Sequence, residues 1–136
     1  MIREELSLAA LGRGLHDITA SLQAVVSRAG RDVGLCHAFV QHTSASLLIQ
    51  ENADPDVLAD LSDWFERAVP DGDPRYRHDA EGRDDMPAHI RAALTQPALT
   101  IPIAEGRLAL GTWQGVYLFE HRLGPRARQI LVTIHG

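Results

Sequence analysis

The run His78-Asp79-Ala80-Glu81-Gly82-Arg83-Asp84-Asp85-Met86-Pro87-Ala88-His89 places two imidazoles and four carboxylates in one short span with little apolar content. Such a segment adds little to a core, and ordering it costs conformational entropy that burial does not return. A bound cation or an anionic substrate is the natural compensation. His78 is expected in a loop and His89 in the helix after it. Two His flanking Glu81, Asp84 and Asp85 suggest a functional pocket, against the alternative of a solvated acidic loop. The spacing matches no standard zinc signature, so it leaves the metal unspecified.

A second chemical group is His42-Thr43-Ser44-Ala45-Ser46, at the junction of two strands, where side chains project into clefts. Its imidazole suits metal binding or proton transfer. The hydroxyls of Ser44 and Ser46 suit phosphate oxygens; the alternative is a turn whose Thr43 and Ser44 bond to the backbone. A third is Gly106 to Gly115. Its glycines permit close backbone approach to a ligand, Trp113 offers a flat apolar surface, and Thr112 and Gln114 offer hydrogen bonds. Arg107 suits phosphate. The alternative is a hairpin turn with Trp113 plugging the core. Glu120 shares a strand face with Val116 and Leu118, so it needs a partner: a metal, a His or Arg122. Asp56 and Asp60 read as a solvated helix face rather than a cation site.

Bulk properties narrow the classes. The chain has 136 residues, which suits one domain, and its 45% hydrophobic content supports a real core. A net charge of -5 argues against nucleic-acid binding through a basic surface. All 13 basic residues are Arg, so no Lys is available for a Schiff base or a phosphate contact. The single Cys36 excludes an internal disulfide and reads as a small buried hydrophobe. A charged N-terminus and no long apolar run point to a soluble cytoplasmic protein.

These groups need elements to hold them. Ile2 to Leu8 reads as a first strand. Asp17 can cap a helix carrying Ile18, Leu22, Val25, Val26 and Ala29 on one face, ended by Gly30. Leu35 to His42 reads as a strand buried on two sides, and Ala45 to Ile49 as the next. Asp54-Pro55 starts a helix with the stripe Val57, Leu58, Leu61, Trp64, Phe65 and Ala68. Pro87 fits the first turn of a short helix with Ile90 and Leu94 facing inward. Leu99 to Ile103, Val116 to Arg122 and Arg128 to Ile134 complete the strands, the last two joined at Leu123-Gly124-Pro125-Arg126. The sum is a single α+β domain, a two-layer and largely antiparallel sandwich with helices packed against it.

Over nearly its whole length the chain resembles the YjbQ-like proteins, described as secondary thiamine-phosphate synthases. The resemblance rests on Gln41 to Ser46, Glu51-Asn52-Ala53-Asp54-Pro55-Asp56, His78 to His89, Gly106-Arg107, and Leu110 to Gly115 with Glu120-His121-Arg122. Gln50 departs from the pattern, which usually has Asn there. The resemblance implies a homotrimer with polar clusters near subunit boundaries. It also implies a weak capacity to join a pyrimidine methyl diphosphate to a thiazole phosphate with release of diphosphate. By analogy His42, His78 and His89 are the central catalytic and metal-binding residues, with Glu81, Asp84 and Glu120 close by. Three His favour zinc or another transition ion, whereas diphosphate chemistry usually employs magnesium, which prefers oxygen ligands. The competing expectations are a metal-dependent hydrolase or lyase using a water on the His cluster, and a non-enzymatic metal- or anion-binding protein.

Overall fold

The computed structural model describes residues 1–136, the side chain of Ala10 excepted. In chain order the elements are β1 (Ile2–Leu11), β2 (Gly14–Asp17), α1 (Thr19–Ala29), β3 (Gly34–Val40), β4 (Ala45–Glu51), α2 (Pro55–Ala68), α3 (Asp85–Leu94), β5 (Ala98–Ala104), β6 (Arg107–Leu108), β7 (Gln114–Glu120) and β8 (Arg126–His135). Two antiparallel sheets form, ordered β1-β8-β3-β5-β6 and β2-β7-β4. The fold is α+β, as the pattern of elements predicts.

Period-two alternation builds the layers. Cys36, Ala38 and Val40 of β3, Ile101 and Ile103 of β5, and Ile130, Val132 and Ile134 of β8 all point into one core. Ala45 and Leu47 of β4 and Val116 and Leu118 of β7 face them from the second sheet, and the apolar stripe of α1 completes the cluster. Gly30 ends α1 in the left-handed conformation at φ 65°, donating to Val26 and Ser27 carbonyls. Asp54 caps α2 by accepting from the Asp56 N–H, with Pro55 at the first helical position.

Several expectations need correction. β3 is covered on one face only: Leu35 and Phe39 are 44% and 41% exposed. The strand covered on both faces is β7, where Val116 and Leu118 meet the core while Phe119 packs edge-on against Phe65 of α2 at 5.1 Å. Trp64 and Ala68 of the α2 stripe are exposed. In α3 the inward positions hold Asp85, Ala88 and Arg91, not Leu94, which is exposed. Trp113 is 63% exposed and plugs nothing. The turn after Arg122 is not a hairpin, because β7 and β8 belong to different sheets.

That last point positions the site. The chain crosses between sheets at His42–Ser44, from β3 to β4, and again at His121–Pro125, from β7 to β8. These two corners pack together, with His121 N–H donating to the Ser44 carbonyl at 3.3 Å. The start of α3 lies against both.

Candidate metal centre

α3 begins with an acidic pair whose burial is made tolerable by one arginine. Asp84 and Asp85 are 8% and 2% exposed, against the expectation of a segment remote from any core. Arg122, from the second corner, donates from Nε to Asp84 at 2.9 Å, from Nη1 to Asp85 Oδ1 at 2.8 Å, and from Nη2 to the Glu81 carbonyl at 2.9 Å. Asp84 also accepts from the Leu123 N–H. Burial by itself would raise the Asp84 carboxyl, but Arg122 and the Leu123 N–H outweigh it and hold the group at about 2. Burial is likewise overcome at Asp85, by His78 and by Arg122, so its carboxyl also lies below the usual range.

With Oδ1 held by Arg122, Asp85 presents Oδ2 to two imidazoles. His78 Nε2 lies 2.5 Å from it and His89 Nε2 lies 3.4 Å from it. The Asp85–His89 approach is an i,i+4 pair on one helix face. His89 Nδ1 sits 3.1 Å from the Thr43 carbonyl, which only accepts, so Nδ1 carries the proton. In the neutral ring Nε2 is then a bare lone pair aimed at the carboxylate. The ligand atoms of His78, Asp85 and His89 all lie within 4.8 Å of one another. Two imidazoles and one carboxylate, each oriented by a neighbour, suit a divalent ion with open coordination positions. A cavity of about 230 Å³ adjoins His78, lined by Gly72, Tyr76, Asp79, Gly82 and Arg83 among others.

The other expected site residues lie apart from this triad. His42 accepts the Gln129 N–H on Nε2 at 2.9 Å and lines a separate depression with Ser44 and Arg128. Burial and the Arg128 charge lower its pKa, with Glu120 opposing. The neighbouring residue Thr43 touches the centre; the His42 ring is not among the converging ligand atoms. Glu120 is fully buried, and its partner is Arg128, which contacts both carboxylate oxygens at 2.5 Å. Glu120 Oε1 also accepts from the Arg122 backbone N–H at 3.0 Å, not from its guanidinium. Ser44 accepts from Arg128, and Ser46 is buried between His121 and Thr95. Asp84 is engaged by Arg122, and Glu81 is exposed beside the triad, joined to it through its carbonyl. Arg107, Thr112 and Gln114 line a different open groove with Asn52 and Gln23. Trp113 is exposed beside that groove without lining it.

Asp85 as a ligand and Arg122 as its clamp were not singled out by the sequence reading. The Asp85–His89 spacing is a usable signal for the first. Nothing local signals the second.

The comparisons with known proteins agree with the fold. The family described as "UPF0047 protein YjbQ-like" matches residues 4–136. The protein sll1880 of Synechocystis is 56% identical over 134 residues, covering 98% of this chain and 91% of that one. YjbQ of Escherichia coli O157:H7 is 42% identical over 135 residues, covering 98% and 97%. Among solved structures, a YjbQ/UPF0047-family protein of Clostridium acetobutylicum superposes with a TM-score of 0.87 at 38% identity, covering 96% of this chain and 98% of that one. A hypothetical protein of Aeropyrum pernix, APE1520, gives 0.89 at 27% identity, covering 100% and 99%. With its motifs matched across nearly the full length and its two-sheet architecture shared, this chain belongs to the UPF0047/YjbQ-like family.

Proposed function

We propose that this protein is a divalent-metal enzyme acting on a small phosphate-bearing molecule, with His78, Asp85 and His89 holding the ion. The observation that carries the reading is the convergence of three ligand atoms, each already fixed in orientation by Thr43 or Arg122 or by the carboxylate itself. The donor set fits zinc or another transition ion better than magnesium, which prefers oxygen ligands alone. When bound, the ion supplies Lewis-acid polarisation of a substrate oxygen. The phosphate part of the reading rests on Arg83, which lines the adjoining cavity and forms no ion pair among the described residues.

The thiamine-phosphate synthase reaction implied by the family resemblance falls within this class. The charge that develops on its leaving diphosphate is the kind that a cation and Arg83 would take up. Hydrolysis of a phosphate ester is the second reading, supported by the coordination positions that two His and one Asp leave open. In either case, Asp85 and His89 keep their roles as oriented ligands.

Elemental analysis of untagged protein tests the centre. About one transition ion per chain is expected, with loss of the ion in His78→Ala, His89→Ala and Asp85→Asn. Full metal content in all three variants would refute the ligand assignment. Turnover of the two thiamine precursors, or of phosphate esters, that survives removal of the ion would refute the catalytic role. Retained ion with no turnover on either substrate set would leave a binding protein.

A further inference from the structure

A second cavity lies under α2, away from the triad, and is lined by Arg13, Gly14, Ser62, Glu66, Arg91 and Phe119. Its volume is about 150 Å³. Organic-ligand sites run from roughly 300 Å³ upward, so this space suits a small ion rather than a nucleotide or a ring system.

Its chemistry is set by Arg91. The residue is 1% exposed, and its guanidinium cannot lose its charge. Among the described residues its one side-chain hydrogen bond runs from Nη2 to the Val69 carbonyl at 3.0 Å. Its Nε is buried with no partner, and no carboxylate lies within ion-pair distance. A buried charge in this state is strongly disfavoured unless something neutralises it. The nearby carboxylates do not do so by contact. Both oxygens of Asp71 are taken by Arg13, at 2.7 and 2.9 Å. The Glu66 side chain is 58% exposed and lies 3.6 Å from Arg13, not against Arg91. His121, whose ring packs tilted against Phe119 at 4.4 Å, is held neutral down to about 3 by burial and by the Arg91, Arg13 and Arg128 charges. It adds no positive charge of its own at ordinary pH, but the pressure on it marks a positive interior.

We infer that this cavity is a binding site for one small tetrahedral oxyanion, inorganic phosphate or sulfate, held by Arg91 with Arg13 at its side. The assignment is independent of the metal centre. Glu66 acts as a counter-charge at the mouth and limits affinity; the anion displaces its exposed carboxylate outward.

Titration calorimetry with inorganic phosphate, and separately sulfate, at constant ionic strength tests this. Thermal midpoints are recorded alongside. Wild type should bind saturably and melt higher as the anion rises. Glu66→Gln should tighten binding roughly threefold or more, since it removes the competing charge. Ser62→Met should fill the cavity and abolish the response, and Arg91→Met should do the same where it folds. Arg83→Ala leaves this cavity untouched: it should lose only phosphate held beside His78 and keep the response that Ser62→Met abolishes. Absence of a saturable response in both wild type and Glu66→Gln would mean the cavity holds water only, and the proposal fails. A response that persists in Ser62→Met and disappears in Arg83→Ala would place the ion beside His78 instead, and it fails equally.

Discussion

Arg122 is the residue on which the candidate metal centre turns. Its guanidinium reaches two buried carboxylates and a carbonyl, so removing it strands two negative charges at once. Breaking a buried pair by deleting one partner costs on the order of 3–5 kcal/mol. Arg122→Met should therefore lose about that much in urea unfolding, and Arg122→Lys should recover only part, because an ammonium cannot span the same three acceptors. His121 controls a different response. Its folded pKa of about 3 lies below the ordinary His value of about 6.5, so the unfolded chain binds the extra proton first. Stability is full above about pH 6.5 and declines as pH falls toward 3, by up to about 1.4 kcal/mol per pH unit. Asp84 adds a loss at lower pH, between the ordinary value near 3.9 and its folded value of about 2. In His121→Gln the decline above pH 4 should flatten while the acid loss below it persists. A wild-type stability that is level from pH 7 to pH 4 would contradict the buried neutral imidazole.

At the scale of elements, the helices and strands that local pattern dictates are the ones that form with least help. The α1 stripe, its Gly30 terminus and the Asp54-Pro55 start of α2 are all written within a few residues. The β5–β6 hairpin is also local. Glu105 and Gly106 form its two-residue loop, both at positive φ, 52° and 74°. That pairing favours Asn-Gly, and Glu at the first position is strained. Glu105→Asn should raise stability by up to about 1 kcal/mol, read as a higher urea midpoint at unchanged slope. Strand β3 and helix α3 were harder to read. A run such as Leu35 to Val40 does not say whether its second face meets a layer, and here no layer of this chain covers it. In α3 two of the inward positions are polar: Asp85 meets Arg122, whereas Arg91 meets only the Val69 carbonyl and finds no carboxylate among the described residues. Hydrophobic spacing carries no trace of those partners.

For the molecule as a whole, the bare face of the larger sheet has consequences. Leu35 and Phe39 stand exposed on it, on one face of β3 with His37 between them. Assembly into the homotrimer that the family resemblance implies is a proposal that this face supports, since exposed apolar surface is favourably buried against another copy. Sedimentation equilibrium of wild type should give three chains per particle. Phe39→Glu should give smaller particles if that face is in the contact, and a monomeric wild type would remove the proposal. No described helix is long and apolar enough to cross a membrane.

The amino-acid sequence by itself determined the longer elements, the two-layer α+β class, the family and the pair of imidazoles around the acidic run, but not the short strands β2 and β6. These follow from short-range periodicity, caps and motifs that a few neighbouring residues fully specify. Which carboxylate joins those imidazoles, and which histidine does not, was decided only in three dimensions. Asp85 becomes an available ligand because Arg122, 37 residues away, neutralises one of its oxygens, and His89 is aimed by a carbonyl 46 residues away. His42 is diverted to a backbone N–H of β8, and Glu120 to Arg128. Burying a charge is permitted only where its counter-charge arrives, and that arrival depends on how two sheet-crossing corners pack against the start of one helix.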